Sequence, residues 1–442
     1  MFVADGAEGS GLGTTDENER VRCALLRAFD SVKRFFGGDM VQRVMTVEMI
    51  ATWFGLVACS LLFGPVQTVL TGAEQGTNAE EHRFVAHTIT TEMQGGYQSV
   101  ITDLNRDGRP DVIAVSLGLD ELTWYENPGW QKHVLVSGLN RPINLAAQDI
   151  DGDGIPELAV AHEFGTSHEG SLGILSILTH TGDPTTPWSL QEIDRTPTAH
   201  RVRWADIDGS GNRVLLNSPL VGPAASPPEY RDEVPIYWYR PDDWTRRVVT
   251  DSEEGVVHGI LATPWGDATG DAVLSASFLG VHAHRFTDGE WIRSAVTNGD
   301  PNAWPLSGSS EVGVGRLGGT NFVTTIEPWH GGQVVVYRED GGAWKRHVID
   351  AEIDSGHTIA TGDFDGDGRD EVVVGDRGDT KSVYLYSSTD STGERWSRQV
   401  VDDGDMAASG CAVDDLNGDG RLDLVCIGSS TANLKWYENV VP

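Results

Sequence analysis

The hydrophobic residues beyond residue 82 fall into short runs that fit β-strands. One run, Asp111–Val115, is followed by a second at Glu121–Glu126, and a similar pair lies at Glu371–Gly375 and Ser382–Tyr386. β-branched and aromatic residues dominate these runs, whereas Gly, Asp and Asn lie between them, which is typical of strands joined by tight turns. The pattern therefore predicts short antiparallel strands rather than amphipathic helices.

An acidic loop of the form Asp-x-Asp/Asn-x-Asp-Gly-x-x-Asp/Glu recurs beside these strands. The complete copies begin at Asp103, Asp149, Asp363 and Asp415. A degenerate copy begins at Asp206, and two more persist only as Gly-containing turns at residues 264–270 and 316–320. The seven copies are 46 to 58 residues apart. Such a period indicates a repeat protein whose units stack on one another.

A second signature, an aromatic residue followed by a short β-type run, closes each unit. Its copies begin at Phe84, Trp130, Trp188, Trp244, Trp291, Trp344 and Trp396. The first copy, Phe84–Ile89, comes before the first acidic loop, so we expect it to supply the outer strand of the last unit. Units of four strands repeated radially make a β-propeller. The sequence therefore predicts an all-β fold, a closed seven-bladed β-propeller over residues 82–441.

Residues 1–73 differ from the repeats, and we interpret them as an N-terminal extension with a signal or anchor helix. The segment Met49–Ala73 has no charged residue, Ile50–Gly64 is apolar, and Thr71–Ala73 offers small residues for cleavage, as in a signal peptide. Two alternatives are a lipoprotein box at Leu56–Cys59 and an uncleaved anchor, because about 20 apolar residues span a bilayer. We expect an exported protein (periplasmic, secreted or envelope-anchored) that contacts the membrane only through this segment if it is uncleaved.

The charge balance bears on the partners of the protein. There are 66 acidic and 32 basic residues, and the formal net charge is −34. Proteins that bind nucleic acid usually present a basic surface. Nucleic acid is therefore not an expected partner.

Cys411 and Cys426 flank one predicted hairpin. In an oxidising compartment they form a disulfide. The alternative is two buried thiols, and the sequence leaves both open.

The complete acidic loops have the composition of calcium sites. Alternate oxygen ligands around a tight turn suit Ca²⁺, with a backbone carbonyl at the seventh position. The expected side-chain ligands are Asp103, Asn105, Asp107, Asp111, Asp149, Asp151, Asp153, Glu157, Asp363, Asp365, Asp367, Glu371, Asp415, Asn417, Asp419 and Asp423. The sequence predicts up to four structural calcium ions and a degenerate third loop that does not bind.

Histidines recur at the predicted start of the innermost strands. Six residues before the first position of each loop lie Tyr97, Ile143, His200, His258, Ser310, His357 and Ser409. Innermost strands line the axis of a propeller, so these side chains should converge at one mouth of the channel, opposite the acidic loops. The same face should collect Arg201, Arg203, His162-Glu163, Glu327, Trp329-His330, Asp376-Arg377 and the insert 219–231.

Such a pocket has the groups for acid–base chemistry. We expect His200, His258, His357, Arg201 and Tyr97 to be catalytic, and the imidazoles to hold a second metal of unknown identity. No Gly-x-Ser-x-Gly nucleophile signature, phosphate loop or dinucleotide fingerprint accompanies them. Proton abstraction beside a carbonyl followed by β-elimination fits these residues.

The acidic loops and their spacing resemble the FG-GAP/VCBS repeat family of exported propellers. More weakly, residues 198–209, Tyr237–Arg240 and residues 254–259 are similar to the propeller domain of aldos-2-ulose dehydratase and related propeller polysaccharide lyases. This resemblance implies elimination across a sugar ring at metal-bound histidines, here His200 and His258, with His357 carried over less securely. It makes carbohydrate the expected partner.

Two functions therefore remain open at this point. One is an exported carbon–oxygen lyase, a sugar dehydratase or polysaccharide lyase. The other is a non-catalytic propeller that binds glycans or proteins at the cell envelope. The fold alone does not decide whether the chain is an enzyme.

Overall fold

The computed structural model describes residues 83–440 and shows an all-β architecture. The chain divides into two units, Met1–Gly76 and Thr77–Pro442, and the described strands belong to the second. The predicted signal or anchor helix in residues 1–73 and the lipoprotein alternative at Cys59 lie outside the described residues. Within the described part, no helix is long and apolar enough to cross a membrane.

The strands form seven four-stranded antiparallel sheets, the blades. The strands of blades one to three are β2 (Gly96–Thr102), β3 (Asp111–Ser116), β4 (Glu121–Glu126), β5 (Gln131–Ser137); β6 (Asn144–Gln148), β7 (Glu157–His162), β8 (Ile174–Thr179), β9 (Ser189–Arg195); and β10 (Ala199–Ala205), β11 (Val214–Pro219), β12 (Glu233–Tyr239), β13 (Arg247–Glu254).

The strands of blades four to seven are β14 (Gly259–Pro264), β15 (Asp271–Ser277), β16 (Gly280–Thr287), β17 (Glu290–Thr297); β18 (Glu311–Leu317), β19 (Thr320–Glu327), β20 (Gln333–Asp340), β21 (Ala343–Asp350); β22 (Gly356–Gly362), β23 (Glu371–Asp376), β24 (Val383–Ser388), β25 (Trp396–Asp402); and β26 (Ala408–Asp414), β27 (Asp423–Gly428), β28 (Leu434–Val440), β1 (Arg83–Thr90). The predicted seven-bladed propeller is confirmed.

The ring of blades closes by pairing of the first and last described strands, as the sequence predicts. β1 pairs with β28 in the register Phe84↔Asn439 and His87↔Trp436, so the first described strand is the outermost strand of blade seven. The prediction that Phe84–Ile89 supplies the outer strand of the last unit is therefore confirmed. Because backbone hydrogen bonds join the two ends of the described chain, no blade at the junction has an open fourth-strand position.

The hydrophobic pattern follows from how the blades pack. The second strands, such as β7 and β23, are buried at every position because both faces of the sheet are covered by neighbouring blades. Outer strands such as β9 are mostly exposed. Hydrophobic clusters fill the space between adjacent blades, and one of them joins blades one and two through Trp124, Leu158 and Trp188.

The two cysteines of blade seven are joined. Cys411 on β26 lies opposite Cys426 on β27, and the structure has a disulfide with an S–S distance of 2.03 Å. Of the two states that the sequence left open, the structure shows the disulfide.

Buried acid groups add polar contacts between blades. In each contact, an acid on the outermost strand of one blade accepts hydrogen bonds from the next blade. The donors are usually a tyrosine on the third strand of that next blade and a basic side chain on or beside the same sheet. The sets are Asp194 with Tyr239 and Arg246, Asp350 with Tyr386 and Arg398, and Asp402 with Tyr437 and Lys435. Glu253 makes a related contact with Arg293. These contacts stabilise neighbouring blades against sliding.

We predict that Asp402→Asn lowers the stability of the propeller. Oδ2 of Asp402 accepts from Nζ of Lys435 at 2.9 Å and from the hydroxyl of Tyr437 at 2.8 Å. Hydrogen bonds to charged groups contribute about 1.5–3 kcal/mol each, so we expect a loss of about 2–3 kcal/mol in the free energy of unfolding by urea. The exposed neighbour Asp403→Asn is the matched control. Equal stabilities of the two variants would contradict the prediction.

Candidate functional site

Aromatic and imidazole side chains from four blades meet at the centre of the ring. The ring centroids of Tyr97 and His200 are 5.9 Å apart, those of His200 and His258 5.0 Å, those of His258 and His357 4.9 Å, and those of His357 and Tyr97 5.2 Å. The four rings therefore form a closed cluster. The structure brings together all four, although they are up to 260 residues apart in the sequence (357 − 97).

β-bulges explain why these residues point to the centre. In the pairing of β2 with β3, Gly96 faces Ser116 and Gln98 faces Val115, which leaves Tyr97 as the extra residue. The same shift leaves out His200 in blade three, His357 in blade six and Ser409 in blade seven. A bulge re-aims one side chain out of the alternating pattern of the strand. The repeated bulge thus presents a side chain to the axis.

Tyr97, His200 and Arg201 form one hydrogen-bonded unit. The Tyr97 hydroxyl is 2.7 Å from Nε2 of His200, and Nη1 of Arg201 donates to the Tyr97 oxygen at 3.2 Å and lies 3.1 Å from the same imidazole nitrogen. Arginine has no acceptor, so Nε2 of His200 accepts hydrogen bonds here. The hydrogen of the neutral ring is then on Nδ1, which is buried without a partner.

Glu311 connects this unit to His258. Oε1 of Glu311 accepts from Nη2 of Arg201 at 2.7 Å and lies 2.9 Å from Nδ1 of His258. Although burial opposes the charged form, Arg201 and His258 hold the pKa of Glu311 below its usual value. The Nδ1 hydrogen of His258 therefore points to a carboxylate, and its Nε2 is left with a free electron pair.

His330 and His357 complete a group that could hold a metal ion. Nδ1 of His357 donates to the backbone oxygen of Ser409 at 2.7 Å, and its Nε2 is buried without a partner. Nε2 of His330 lies 3.1 Å from Nε2 of His258. One ligand nitrogen from each of His258, His330 and His357 lies within 4.8 Å of the others. His200 is adjacent, but its Nε2 is already engaged by Tyr97 and Arg201.

Burial and neighbouring cations keep these imidazoles neutral. Burial lowers the pKa of His258 to about 4, against the opposing effect of Glu311. Burial and nearby charges, first Arg201 for His200 and Arg377 for His357, hold both pKa values well below the usual range. The pKa of His330 is lowered in the same way. Neutral imidazole is the form that binds metals.

The cluster reaches solvent on the side of His330. His200, His258 and His357 are 1–2% exposed, whereas His330, Trp329 and Arg377 are partly exposed. A ligand therefore approaches through the side of His330. We call the partly exposed surface of Trp329, His330 and Arg377 the mouth.

Aromatic residues from neighbouring loops form one wall of the mouth. Tyr230, in the predicted insert, packs edge-on to Trp329 with centroids 5.6 Å apart. Arg231 lies over the ring of Trp304, whose Nε1 donates to the backbone oxygen of Glu229. The insert 219–231 thus shapes the approach to the site, in agreement with its predicted face.

Other residues predicted on this face serve the scaffold. His162 bonds to Ser176 inside blade two, and Glu327 is fully buried with Tyr337 and Arg346. The carboxylate of Asp376 accepts from Thr380 and Ser382, Glu163 accepts from Asn140, and Ile143 is a buried core residue.

Glu311 was not predicted from the sequence, and His200 rather than His330 was expected beside His258 and His357 in the group that could hold a metal. Glu311 directly follows Ser310, one of the aligned positions, just as Arg201 follows His200. The signal in the sequence was a pair of opposite charges, Arg201 and Glu311, each one residue after an aligned position.

The acidic loops have one shared geometry. The first-position carboxylate accepts from the sixth-position backbone N–H, as Gly108 donates to Asp103 and Gly368 to Asp363. The ninth-position acid accepts from the second-position N–H, as in the bond from Phe364 to Glu371. In the second and sixth blades, the carboxylates of positions one, three and nine lie close enough to share a cation.

Burial and neighbouring carboxylates disfavour the charged form of the ninth-position acids. Burial, together with the neighbouring loop acids, raises the pKa of Asp111 and of Asp423 to about 6. Burial followed by Asp365, Asp367 and Asp363 raises the pKa of Glu371 to about 8. The pKa of Glu157 is also raised by burial. A bound cation would offset this accumulation of charge.

The degenerate loops are held differently. In blade three, Asp206 donates its backbone N–H to Asp271 of blade four, and in blade five Arg316 donates to Asp370 of blade six. An acid from the next blade thus holds the first residue of each of these two turns.

Comparisons with known proteins agree with this architecture. The family described as "Aldos-2-ulose dehydratase, beta-propeller domain" matches residues 172–340, and FG-GAP-like repeats match residues 103–160 and 363–426. Aldos-2-ulose dehydratase of Phanerodontia chrysosporium is 25% identical over 306 residues, which cover 61% of this chain and 34% of that protein. The chain thus spans about a third of the length of the curated relative that it matches.

Among solved structures, the Dos1 propeller has a TM-score of 0.49 and 10% identity, covering 77% of this chain and 78% of that one. The sequence matches, together with the sheet topology, identify the described chain as a seven-bladed β-propeller of FG-GAP-like repeats whose central segment is similar to the aldos-2-ulose dehydratase propeller domain.

Proposed function

We propose that the protein is a carbohydrate-acting carbon–oxygen lyase that removes a group by β-elimination at the central histidine cluster. The observation that carries this proposal is the convergence of oriented neutral imidazoles with Tyr97, Arg201 and Glu311. The dehydratase resemblance over residues 172–340 supports carbohydrate as the substrate class. Arg201, His258 and Glu311 all lie within that segment.

His258, His330 and His357 would hold a divalent transition metal. The fit rests on the unpartnered Nε2 of His357 and on two imidazole nitrogens that face each other at 3.1 Å. Glu311 behind His258 and the carbonyl of Ser409 behind His357 are the outer partners that metal-bound histidines usually have. When bound, the metal would polarise a carbonyl or carboxylate oxygen of the substrate and so acidify the neighbouring C–H.

Tyr97 and Arg201 supply the proton transfer. The positive charge of Arg201, 3.2 Å from the hydroxyl oxygen, stabilises negative charge on that oxygen. In the proposed elimination, Tyr97 passes its hydroxyl proton to Nε2 of His200 as its oxygen takes the proton from the carbon next to the carbonyl. Tyr97 then gives that proton to the departing oxygen and recovers its own proton from His200. His200 accepts a hydrogen bond from Tyr97 and fixes the orientation of its hydroxyl. The buried cluster excludes bulk water from this exchange.

We also propose that the four complete acidic loops bind Ca²⁺ and stabilise the ring, and that the protein is exported. The shared loop geometry and the raised pKa values of the ninth-position acids support the calcium sites. The disulfide between Cys411 and Cys426 supports export, because disulfides persist in oxidising compartments.

We predict that the protein binds one transition metal per chain through His330 and not through His200. His330→Ala and His357→Ala should abolish binding of Zn²⁺ or Co²⁺, whereas His200→Ala should retain it. Glu311→Gln should weaken it about 10- to 100-fold, the usual effect of losing an outer partner. Metal content after dialysis and the visible spectrum of the Co²⁺ form measure this, and the exposed His347→Ala is the control.

Elimination is tested on the metal-loaded protein with 2-keto sugars and uronate polysaccharides, by the absorbance of the conjugated product. Tyr97→Phe should lower kcat about 100- to 10,000-fold, the range for loss of a general acid or base, with metal content unchanged. A protein that binds carbohydrate but forms no product from any of these substrates would favour the non-catalytic alternative. Activity unchanged in Tyr97→Phe and His258→Gln would refute the assigned site.

We predict that removal of calcium lowers thermal stability. At a free Ca²⁺ concentration of a hundred times Kd, each site stabilises the fold by about 2.7 kcal/mol, so EGTA should lower Tm and added Ca²⁺ should restore it. Glu371→Gln should reduce the shift because it removes a ligand of the blade-six loop, whereas Asp206→Asn in the degenerate loop should not. An unchanged Tm with EGTA would contradict the proposal that the acidic loops bind Ca²⁺.

A further inference from the structure

The charges at the centre of the ring do not balance. Three guanidinium groups, those of Arg201, Arg203 and Arg377, lie at or beside the cluster, but only Glu311 contacts one of them as an acid. Arg203 donates to the amide oxygen of Asn144 and to the carbonyl of Val202, which are neutral. Even with every imidazole neutral, two positive charges therefore have no carboxylate partner within residues 83–440.

Arg377 is the unpaired cation that a ligand can reach. Its side chain is partly exposed, and its Nη2 lies 3.3 Å from Nε2 and 3.4 Å from Nδ1 of His330. Asp376, its neighbour in sequence, is turned away because its carboxylate accepts from Thr380 and Ser382. A guanidinium has five N–H donors, so most of the hydrogen-bonding capacity of Arg377 is unused by the described residues.

A metal at His258, His330 and His357 would increase this imbalance. It would add two positive charges next to Arg377, which has no carboxylate partner among the described residues. An unpaired buried charge is costly, and an anion that reaches both the arginine and the metal would reduce the cost. The local charge is opposite to the formal net charge of −34 of the chain. The attraction for an anion is thus a property of the mouth.

Trp329 lies on the other side of His330. Its ring is tilted by 35° to that of His330 with centroids 4.7 Å apart, and it is braced by Tyr230 and Phe278. Its Nε1 is buried and has no hydrogen-bond partner. The exposed part of the indole offers an aromatic surface against which the apolar C–H face of a sugar ring can pack.

We propose that the mouth recognises an acidic sugar, with Arg377 binding the carboxylate and Trp329 lying against the sugar ring. This inference rests on the carbohydrate function proposed above and narrows it from sugars in general to carboxylate-bearing sugars. Arginine matches the two oxygens of a carboxylate with two parallel N–H groups, which a neutral sugar does not offer. Arg377 is therefore the specificity residue of the site.

The proposal is tested by binding, which does not require turnover. Calorimetric titration of the full-length, metal-loaded protein compares D-glucuronate, its methyl ester and D-glucose. We expect glucuronate to bind at least tenfold more tightly than the ester. Arg377→Gln should raise the Kd for glucuronate roughly 10- to 100-fold, as expected for the loss of charged hydrogen bonds, and leave the Kd for the ester unchanged.

Two further variants separate recognition from folding. Arg377→Lys keeps the charge without the planar pair of donors and should fall between wild type and Arg377→Gln. Trp329→Phe should weaken binding of glucuronate and ester alike, because the smaller ring offers less aromatic surface to either sugar. Arg83→Gln, exposed on β1, is the control, and equal Tm values show that each variant folds.

The outcomes also distinguish this proposal from the lyase function. Glucuronate that binds no more tightly than its ester, or not at all, would overturn the acidic-sugar proposal, as would wild-type affinity in Arg377→Gln. Turnover of neutral 2-keto sugars with KM unchanged in Arg377→Gln would also overturn it and leave the lyase function intact. Selective, Arg377-dependent binding of glucuronate without turnover of any substrate would support it and overturn only the elimination.

Discussion

The pairing of β1 with β28 is the constraint on which the central site depends. Tyr97 of blade one hydrogen-bonds to His200 of blade three, and His357 of blade six bonds to the backbone of Ser409 in blade seven. None of these contacts is local in sequence, and each requires the inner strands to stand at fixed angles around one axis. Closure sets those angles because the last blade is complete only when the first described strand joins it.

Much of the fold could be predicted because its signals are local and repeated. The acidic loops Asp-x-Asp/Asn-x-Asp-Gly, the hydrophobic second strands and the aromatic runs such as Phe84–Ile89 each encode one blade element, and seven complete or degenerate repeats identify the ring. The same alignment placed His200, His258 and His357 at the axis. The blade interface contacts could not be predicted in this way. Asp402, for example, meets Tyr437 only after two blades pack, and no spacing in the sequence fixes that distance.

The site itself was predictable in position but not in detail. The aligned positions predicted which side chains meet at the axis. The role of each side chain depends on where its hydrogen atoms lie and on which groups it contacts. His200 differs from His357 because Arg201 and Tyr97 occupy its Nε2, while Nε2 of His357 is free. His330 joins from the loop after β19, and the alignment placed it on this face but could not show that its ring reaches His258. The bulges that aim Tyr97 and His200 leave no sequence signature beyond the side chains themselves.

The two sequence matches divide the propeller into one part with complete acidic loops and one part that builds the mouth. The complete acidic loops lie in residues 103–160 and 363–426, which match FG-GAP-like repeats, and the degenerate loops at Asp206, 264–270 and 316–320 lie in the dehydratase-like segment 172–340. That segment also carries the insert 219–231, Glu311 and Trp329-His330, which build the mouth. In the degenerate loops of blades three and five, Asp271 and Asp370 hold the turns by direct hydrogen bonds between blades. The segment therefore keeps rigid turns on one face without the complete acidic loop, while the opposite face carries the polar and aromatic groups of the site.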